Sequence, residues 1–92
     1  MFDARRLRTT ALALATAARF DEARPPLERA ITISEAVLGP DDMFTGMLLH
    51  DLVGIALETR DDRTAEPLQR RALAIFDKAV GESHPYSAMA RL

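Results

Sequence analysis

The sequence contains no cysteine and no long apolar run. Without cysteine there is no disulfide, no thiolate nucleophile and no sulfur-ligated metal, and a reducing compartment is favoured, so we expect a cytoplasmic protein. The longest stretch without a charged residue, 9–18, is far shorter than the roughly 20 apolar residues that a membrane-spanning helix requires. Residues 1–3 also lack the basic and apolar segments of a secretion signal. We expect no contact with a membrane.

An excess of positive charge is missing as well. The 12 lysine and arginine residues are outweighed by 14 aspartate and glutamate residues, which gives a formal net charge of −2. That balance argues against nucleic-acid binding, which depends on neutralising phosphates. No segment shows the period-two alternation of β-branched and aromatic residues that a strand needs. What remains is a chain of 92 residues, 48% of them apolar, which fits a single helical domain.

Two glycines mark an internal repeat. Gly39 and Gly81 each follow a long amphipathic segment, at the position of a left-handed helix C-cap, and they lie 42 residues apart. Shifting the chain by 42 residues aligns 22–50 with 64–92, and seven of the 29 aligned pairs are identical. An ungapped register of this quality indicates a structural repeat. The identical pairs are Ala23/Ala65, Pro25/Pro67, Arg29/Arg71, Ala30/Ala72, Ile33/Ile75, Gly39/Gly81 and Met47/Met89.

Each repeat is predicted to be a hairpin of two helices. Apolar residues recur at spacings of three and four in 23–38 and 65–80, which is the pattern of an amphipathic helix. Another helical segment precedes each of these, roughly at 3–18 and 43–59, and short polar breaks follow at 19–21 and 60–62. We predict an all-α fold of antiparallel helix hairpins, with repeat 1 at about 5–42, repeat 2 at about 43–84 and a partial third repeat at 85–92.

The predicted helices carry residues suited to close packing. Alanine on the second helix of each hairpin lets the paired helices approach, while leucine and isoleucine on the first helix supply bulk. Pro25 and Pro26 follow a predicted helix cap at Asp21 by four and five residues, where they remove one or two backbone hydrogen bonds. The residues expected at the helix contacts are Ala23, Ala30, Ala65 and Ala72, with Leu7, Leu14, Leu52 and Ile55 opposite them.

Residues 20–42 and 65–85 resemble the 42-residue tetratricopeptide repeat of the kinesin light chain type. The second copy carries Ala-Glu-Pro-Leu at 65–68, Arg-Ala-Leu at 71–73 and Gly81 followed by His84-Pro85, as that family does. The resemblance covers essentially the whole chain. It implies a right-handed α-solenoid of antiparallel helix pairs that binds a peptide or protein, and we expect no cofactor.

Two departures from the family pattern carry structural predictions. The family usually has glycine in the turn between paired helices, where this chain has Ala18 and Arg60. A left-handed conformation at either residue would cost on the order of 1 kcal/mol. Asp62 and Gln69 stand where the family favours aromatic residues, so we expect the second hairpin to be less tightly packed than the first.

In this family the first helix of each pair lines the concave surface, and the matching positions here form a predicted groove. Family members often hold a peptide backbone with paired asparagines there, but this chain has Arg8-Thr9 and His50-Asp51 at those places and no asparagine anywhere. What remains is one basic and one acidic wall for a mixed-charge segment. The alternative interpretation is an ordinary solvated helix face. The predicted groove residues are Arg5, Arg8, Thr9, Leu12, Thr16, His50, Asp51, Gly54 and Glu58.

No constellation of residues points to catalysis. His50 and Asp51 adjoin on a helix but point to different sides, and His84 lies in a distant loop, so a metal site is not expected. A small enzyme would need a closed pocket with a perturbed ionisable group, and no residues suggest one. The methionines fit either a core role or an adaptable contact surface. We predict a non-enzymatic interaction module or scaffold and, as the alternative, a structural fragment that self-associates through open apolar ends.

Overall fold

The computed structural model describes residues 3–80, which form four α-helices. Helix α1 spans Asp3–Thr16, α2 Phe20–Val37, α3 Met43–Glu58 and α4 Asp62–Val80, and this part of the chain contains no strand. Helix α1 packs along α2 (hairpin 1), α3 packs along α4 (hairpin 2), and the hairpins meet mainly through α2 and α3. The predicted all-α fold is confirmed. Gly81 and the predicted partial third repeat at 85–92 lie outside the described residues.

The 42-residue register extends beyond the segment in which the sequence repeats. Helix α1 ends at Thr16 and α3 at Glu58, while α2 begins at Phe20 and α4 at Asp62, so both boundaries of the turn inside the hairpin recur after 42 residues. Between 3–21 and 45–63 only one aligned pair is identical, Leu7 and Leu49. The two hairpins therefore share one plan, although their first helices have almost no sequence in common.

The turn inside each hairpin holds a non-glycine residue in the left-handed conformation. The backbone angle φ is 61° at Ala18 and 58° at Arg60. The N–H of Arg19 donates to the Leu14 carbonyl at 2.8 Å, and that of Ala18 donates to the Ala15 carbonyl at 2.9 Å. The same pair of bonds, a Schellman motif, surrounds Arg60. The left-handed conformation that was predicted to be strained is present in both turns, and two backbone hydrogen bonds stabilise each turn.

Small residues lie where the helices cross. A Cβ added to Gly46 would lie 2.9 Å from both Ile75 Cγ2 and Phe76 Cε1, so α3 and α4 are in close contact at this glycine. Phe76 is fully buried, at the position that Ser34 occupies in hairpin 1. Ile75 and Phe76 supply the bulk at this crossing, and the looser packing expected from Asp62 and Gln69 stays a prediction. The four predicted contact alanines are buried, at Ala23, Ala30, Ala65 and Ala72.

Helix α2 begins one residue earlier than the predicted cap. Its N-cap position is Arg19, which makes no side-chain cap bond, and the first helical bond runs from the Ala23 N–H to the Arg19 carbonyl at 3.0 Å. The predicted cap at Asp21 is wrong, because the Schellman turn leads directly into the helix. Pro25 and Pro26 lie inside α2 and remove two backbone donors, as expected.

Polar contacts join the two hairpins. The Ser34 Oγ lies 2.6 Å from the Thr45 Oγ1, and both residues are fully buried. The Thr45 hydroxyl donates to the Gly39 carbonyl at 2.9 Å, so its one hydrogen is used and Ser34 must donate to Thr45. Gly39 has a φ of 108°, which confirms the predicted left-handed cap. At the surface, Glu35 of α2 pairs with Arg71 of α4.

The outer face of α1 is polar. Four of the buried residues of α3 have exposed counterparts in α1, 42 positions earlier. These pairs, α3 first, are Thr45/Asp3, Leu48/Arg6, Leu52/Thr10 and Ile55/Ala13. We call the four α1 residues the outer α1 face. The outer α1 face is therefore exposed where the matching residues of α3 are buried, and self-association through open apolar ends stays a prediction.

Candidate functional site

Helices α1 and α3 lie side by side and run in the same direction. Arg8 of α1 contacts Asp51 of α3, and the residues that follow on each helix line one groove of about 320 Å³. We call this cavity the α1–α3 groove. Its walls are Leu12 and Ala15 of α1, Phe20 at the start of α2, and His50, Asp51, Gly54, Ile55 and Glu58 of α3.

The structure brings together five of the nine predicted groove residues, namely Leu12, His50, Asp51, Gly54 and Glu58. Sequence reasoning missed the apolar floor, which Ala15, Phe20 and Ile55 form. Helical spacing carried a signal for two of these, because Ala15 follows Leu12 by three residues and Ile55 follows Asp51 by four. Phe20 belongs to a different helix, and only the fold of hairpin 1 brings it to the groove.

Arg8 and Asp51 form an ion pair across the two hairpins. The Arg8 Nε donates to the Asp51 Oδ2 at 2.7 Å, and the side chains are 29% and 15% exposed. The predicted basic and acidic walls therefore meet and neutralise each other at this point. The charged groups left on the predicted surface are Arg5 and Glu58, which lie toward opposite ends of the helices. The positions of these two residues along the helix axes differ by roughly 16 Å, at a rise of about 1.5 Å per residue.

Four predicted residues on α1 lie outside the groove walls, namely Arg8, which pairs with Asp51, and three others. Arg5, Thr9 and Thr16 are all exposed. The Thr9 hydroxyl donates to the Arg5 carbonyl at 3.0 Å, and the Thr16 hydroxyl donates to the Leu12 carbonyl at 2.8 Å. Both hydroxyl hydrogens are therefore bonded within α1, and these threonines are left with acceptor capacity only.

Gly54 opens the groove on the α3 side. A Cβ added to Gly54 would have no neighbouring atom within 4 Å. The matching residue of hairpin 1 is Leu12, whose side chain is half-buried. A leucine side chain thus occupies this position in α1, whereas the same position in α3 is left empty. The absence of a side chain at Gly54 is one reason why a groove exists here.

His50 is tied to the core of hairpin 2. Its ring meets Phe76 edge to face, with 6.4 Å between the ring centroids. The His50 Nδ1 is buried and has no hydrogen-bond partner among residues 3–80, so this side of the ring is turned away from solvent. Within residues 3–80 no group of three histidine or acidic side chains converges as metal ligands. The groove residues are suited to non-covalent contact with a ligand.

A family model for the tetratricopeptide repeat matches residues 3–78. The chain belongs to the tetratricopeptide repeat family. Tetratricopeptide repeats are non-catalytic modules that generally mediate protein–protein interaction. A comparison with curated proteins finds no match to this chain. None of the helices within 3–80 combines the length and the apolar character of a membrane span.

Proposed function

We propose that this chain is a protein-binding module that holds a segment of a partner protein in the α1–α3 groove. The observation that carries the proposal is Gly54. A glycine inside a helix destabilises the helix by roughly 0.5–1 kcal/mol relative to alanine. At Gly46 close packing requires a glycine, but no such contact exists at Gly54. Close approach of a ligand to α3 gives a reason for the second glycine.

The character of the groove supports the same proposal. Leu12 and Phe20 are apolar but only half-buried, and they lie next to the polar Asp51 and the exposed Glu58. Binding sites in proteins commonly combine an apolar surface with a few polar groups that orient the ligand. A groove open along two parallel helices fits an extended segment of a partner better than an enclosed small molecule.

A Gly54→Leu substitution tests the proposal. Displayed random peptides are selected on the wild-type chain, and the affinity of each selected peptide is then measured on both proteins. We expect Gly54→Leu to abolish binding of the selected peptides, because leucine fills the groove. The substitution also raises the helix propensity of α3, so the variant should remain folded by circular dichroism.

The matched control is Ala74→Leu, which adds a leucine to an exposed position of α4 outside the groove walls. We expect this variant to bind the selected peptides as the wild type does. The proposal fails if no selected peptide is sensitive to Gly54→Leu, or if both substitutions weaken binding equally.

Finer features of the proposal follow from the repeat itself. We infer that the repeats are of the 42-residue kinesin light chain type, which the recurrence of helix boundaries at this spacing supports. The partner is a protein, and neither a cofactor nor a nucleic acid is required. The polar outer α1 face speaks against stacking of copies at that end. A cytoplasmic location stays a prediction from the lack of cysteine.

A further inference from the structure

We infer that the α1–α3 groove recognises a lysine or arginine side chain of the partner segment, an inference that rests on the proposed function. Three features of the groove favour a side chain that is apolar along its length and positively charged at its end. These are the apolar floor, an uncompensated carboxylate at the rim, and the direction of the two helices.

The floor of the groove suits an aliphatic stem. Leu12, Ala15, Phe20 and Ile55 present apolar surface, and Gly54 leaves room above it. Lysine and arginine bury their methylene groups along such surfaces while the charged group stays near water. The Phe20 ring is also able to attract a cation that lies over its face. A short acidic side chain would bring its charge into contact with this floor and would gain little.

The uncompensated charge at the groove is negative. Glu58 is exposed and forms no ion pair with any residue in 3–80. Asp51 is the second carboxylate, and Arg8 already compensates it at 2.7 Å. Within residues 3–80 no lysine or arginine side chain lines the groove. A basic side chain that enters it therefore meets Glu58 as an available partner and no positive charge in the groove walls.

The directions of α1 and α3 add negative electrostatic potential at the groove. Helices α1 and α3 run in the same direction, and they end at Thr16 and Glu58. The C-termini of both helices therefore lie at the same end of the groove. Neither helix has a basic residue in its last turn. Helix C-termini carry partial negative charge and favour cations. Of the nearby turn residues, Arg19 pairs with Glu22, and Arg60, which does not line the groove, forms no ion pair with any residue in 3–80.

The experiment uses the full 92-residue chain. Displayed random peptides selected on the wild type are sequenced, and those sensitive to Gly54→Leu are kept. We expect these peptides to share a lysine or arginine at one position. Replacing that residue by norleucine, which keeps the stem and removes the charge, should weaken binding about tenfold, the loss of one charge-assisted contact. Binding should also weaken as salt is added.

Glu58→Gln should produce the same tenfold loss for the basic peptide and no change for the norleucine peptide. Glu66→Gln, at an exposed position of α4 outside the groove walls, is the control and should change neither. Peptides that depend on Gly54 but show no basic preference would overturn this inference and leave the proposed function standing. Recovery of no peptide sensitive to Gly54→Leu would overturn both.

Discussion

Gly46 and Gly54 lie on the same helix, and their surroundings are opposite. At Gly46 an added methyl group would meet Ile75 and Phe76 at 2.9 Å, whereas at Gly54 it would meet nothing within 4 Å. A glycine in a helix has the same intrinsic cost at both places. Packing offsets that cost at Gly46 and does not do so at Gly54. The difference separates a glycine that the fold needs from one that it does not need.

We therefore expect alanine substitutions to have opposite effects. Gly46→Ala should lower the free energy of unfolding by about 1–3 kcal/mol, because the buried Ile75 and Phe76 must shift. Gly54→Ala should raise it by up to about 1 kcal/mol through helix propensity. Urea denaturation of both variants checks the prediction. A stabilising Gly46→Ala would mean that α3 and α4 do not approach as described.

The left-handed residues Ala18 and Arg60 provide a second prediction. Glycine adopts their conformation without steric cost, so Ala18→Gly and Arg60→Gly should each stabilise the protein by about 1 kcal/mol. The control is Ala17→Gly, because Ala17 is exposed in the same turn but does not have a positive φ. Thermal and urea unfolding should separate Ala18 from Ala17. Equal effects at the two positions would contradict the assigned turn geometry.

At the scale of elements, Asp61 joins hairpin 1 to the start of α4. Its Oδ1 accepts from the Thr64 N–H at 3.2 Å, as an N-cap does, and its Oδ2 accepts from Arg24 Nη2 at 2.8 Å. The hydrogen bonds from Thr64 and then from Arg24 hold the pKa of Asp61 below its ordinary value of 3.8. One half-buried carboxylate thus caps a helix and pairs with the preceding hairpin.

The lowered pKa of Asp61 predicts a pH dependence of stability. The folded state favours the ionised carboxylate, so Asp61 stabilises the fold above pH 3.8 and loses this effect as the pH falls through the lower folded-state pKa. The difference in unfolding free energy between wild type and Asp61→Asn should be largest near neutral pH and should shrink in acid. A difference between the two proteins that stays constant from neutral pH into acid would contradict this role of Asp61.

The helices themselves were predictable from the sequence. Apolar spacing of three and four indicated α2 and α4, and helical segments were predicted before each of them. The ends of α1 and α3 differ from the predicted ends by two residues or fewer. The cap of α2 was predicted wrongly, because Asp21 is a favoured cap type and local propensity carries no information about the Schellman turn before it. The contact of Phe76 with Gly46 was not predicted, because it depends on how closely α3 and α4 approach.

At the scale of the molecule, the outer α1 face distinguishes the two hairpins. Replacing Arg6 and Thr10 by leucine would reproduce residues 48 and 52 of α3 on an exposed surface. Such an apolar patch should drive self-association, so the Arg6→Leu/Thr10→Leu variant should gain mass with concentration in light scattering. Arg6→Gln/Thr10→Gln is the control and should behave as the wild type. If the leucine variant behaves as the wild type as well, this face is not a potential stacking surface.

The sequence by itself determined the repeat, the helices and the family, because periodicity, small residues and a 42-residue register are local or translational patterns. It also nominated five of the eight groove residues through the family position of the first helices. Only the tertiary structure decided how these residues are used. It joins Arg8 to Asp51, brings Phe20 to the floor and leaves Gly54 open, because such contacts depend on distances between helices that sequence spacing does not encode.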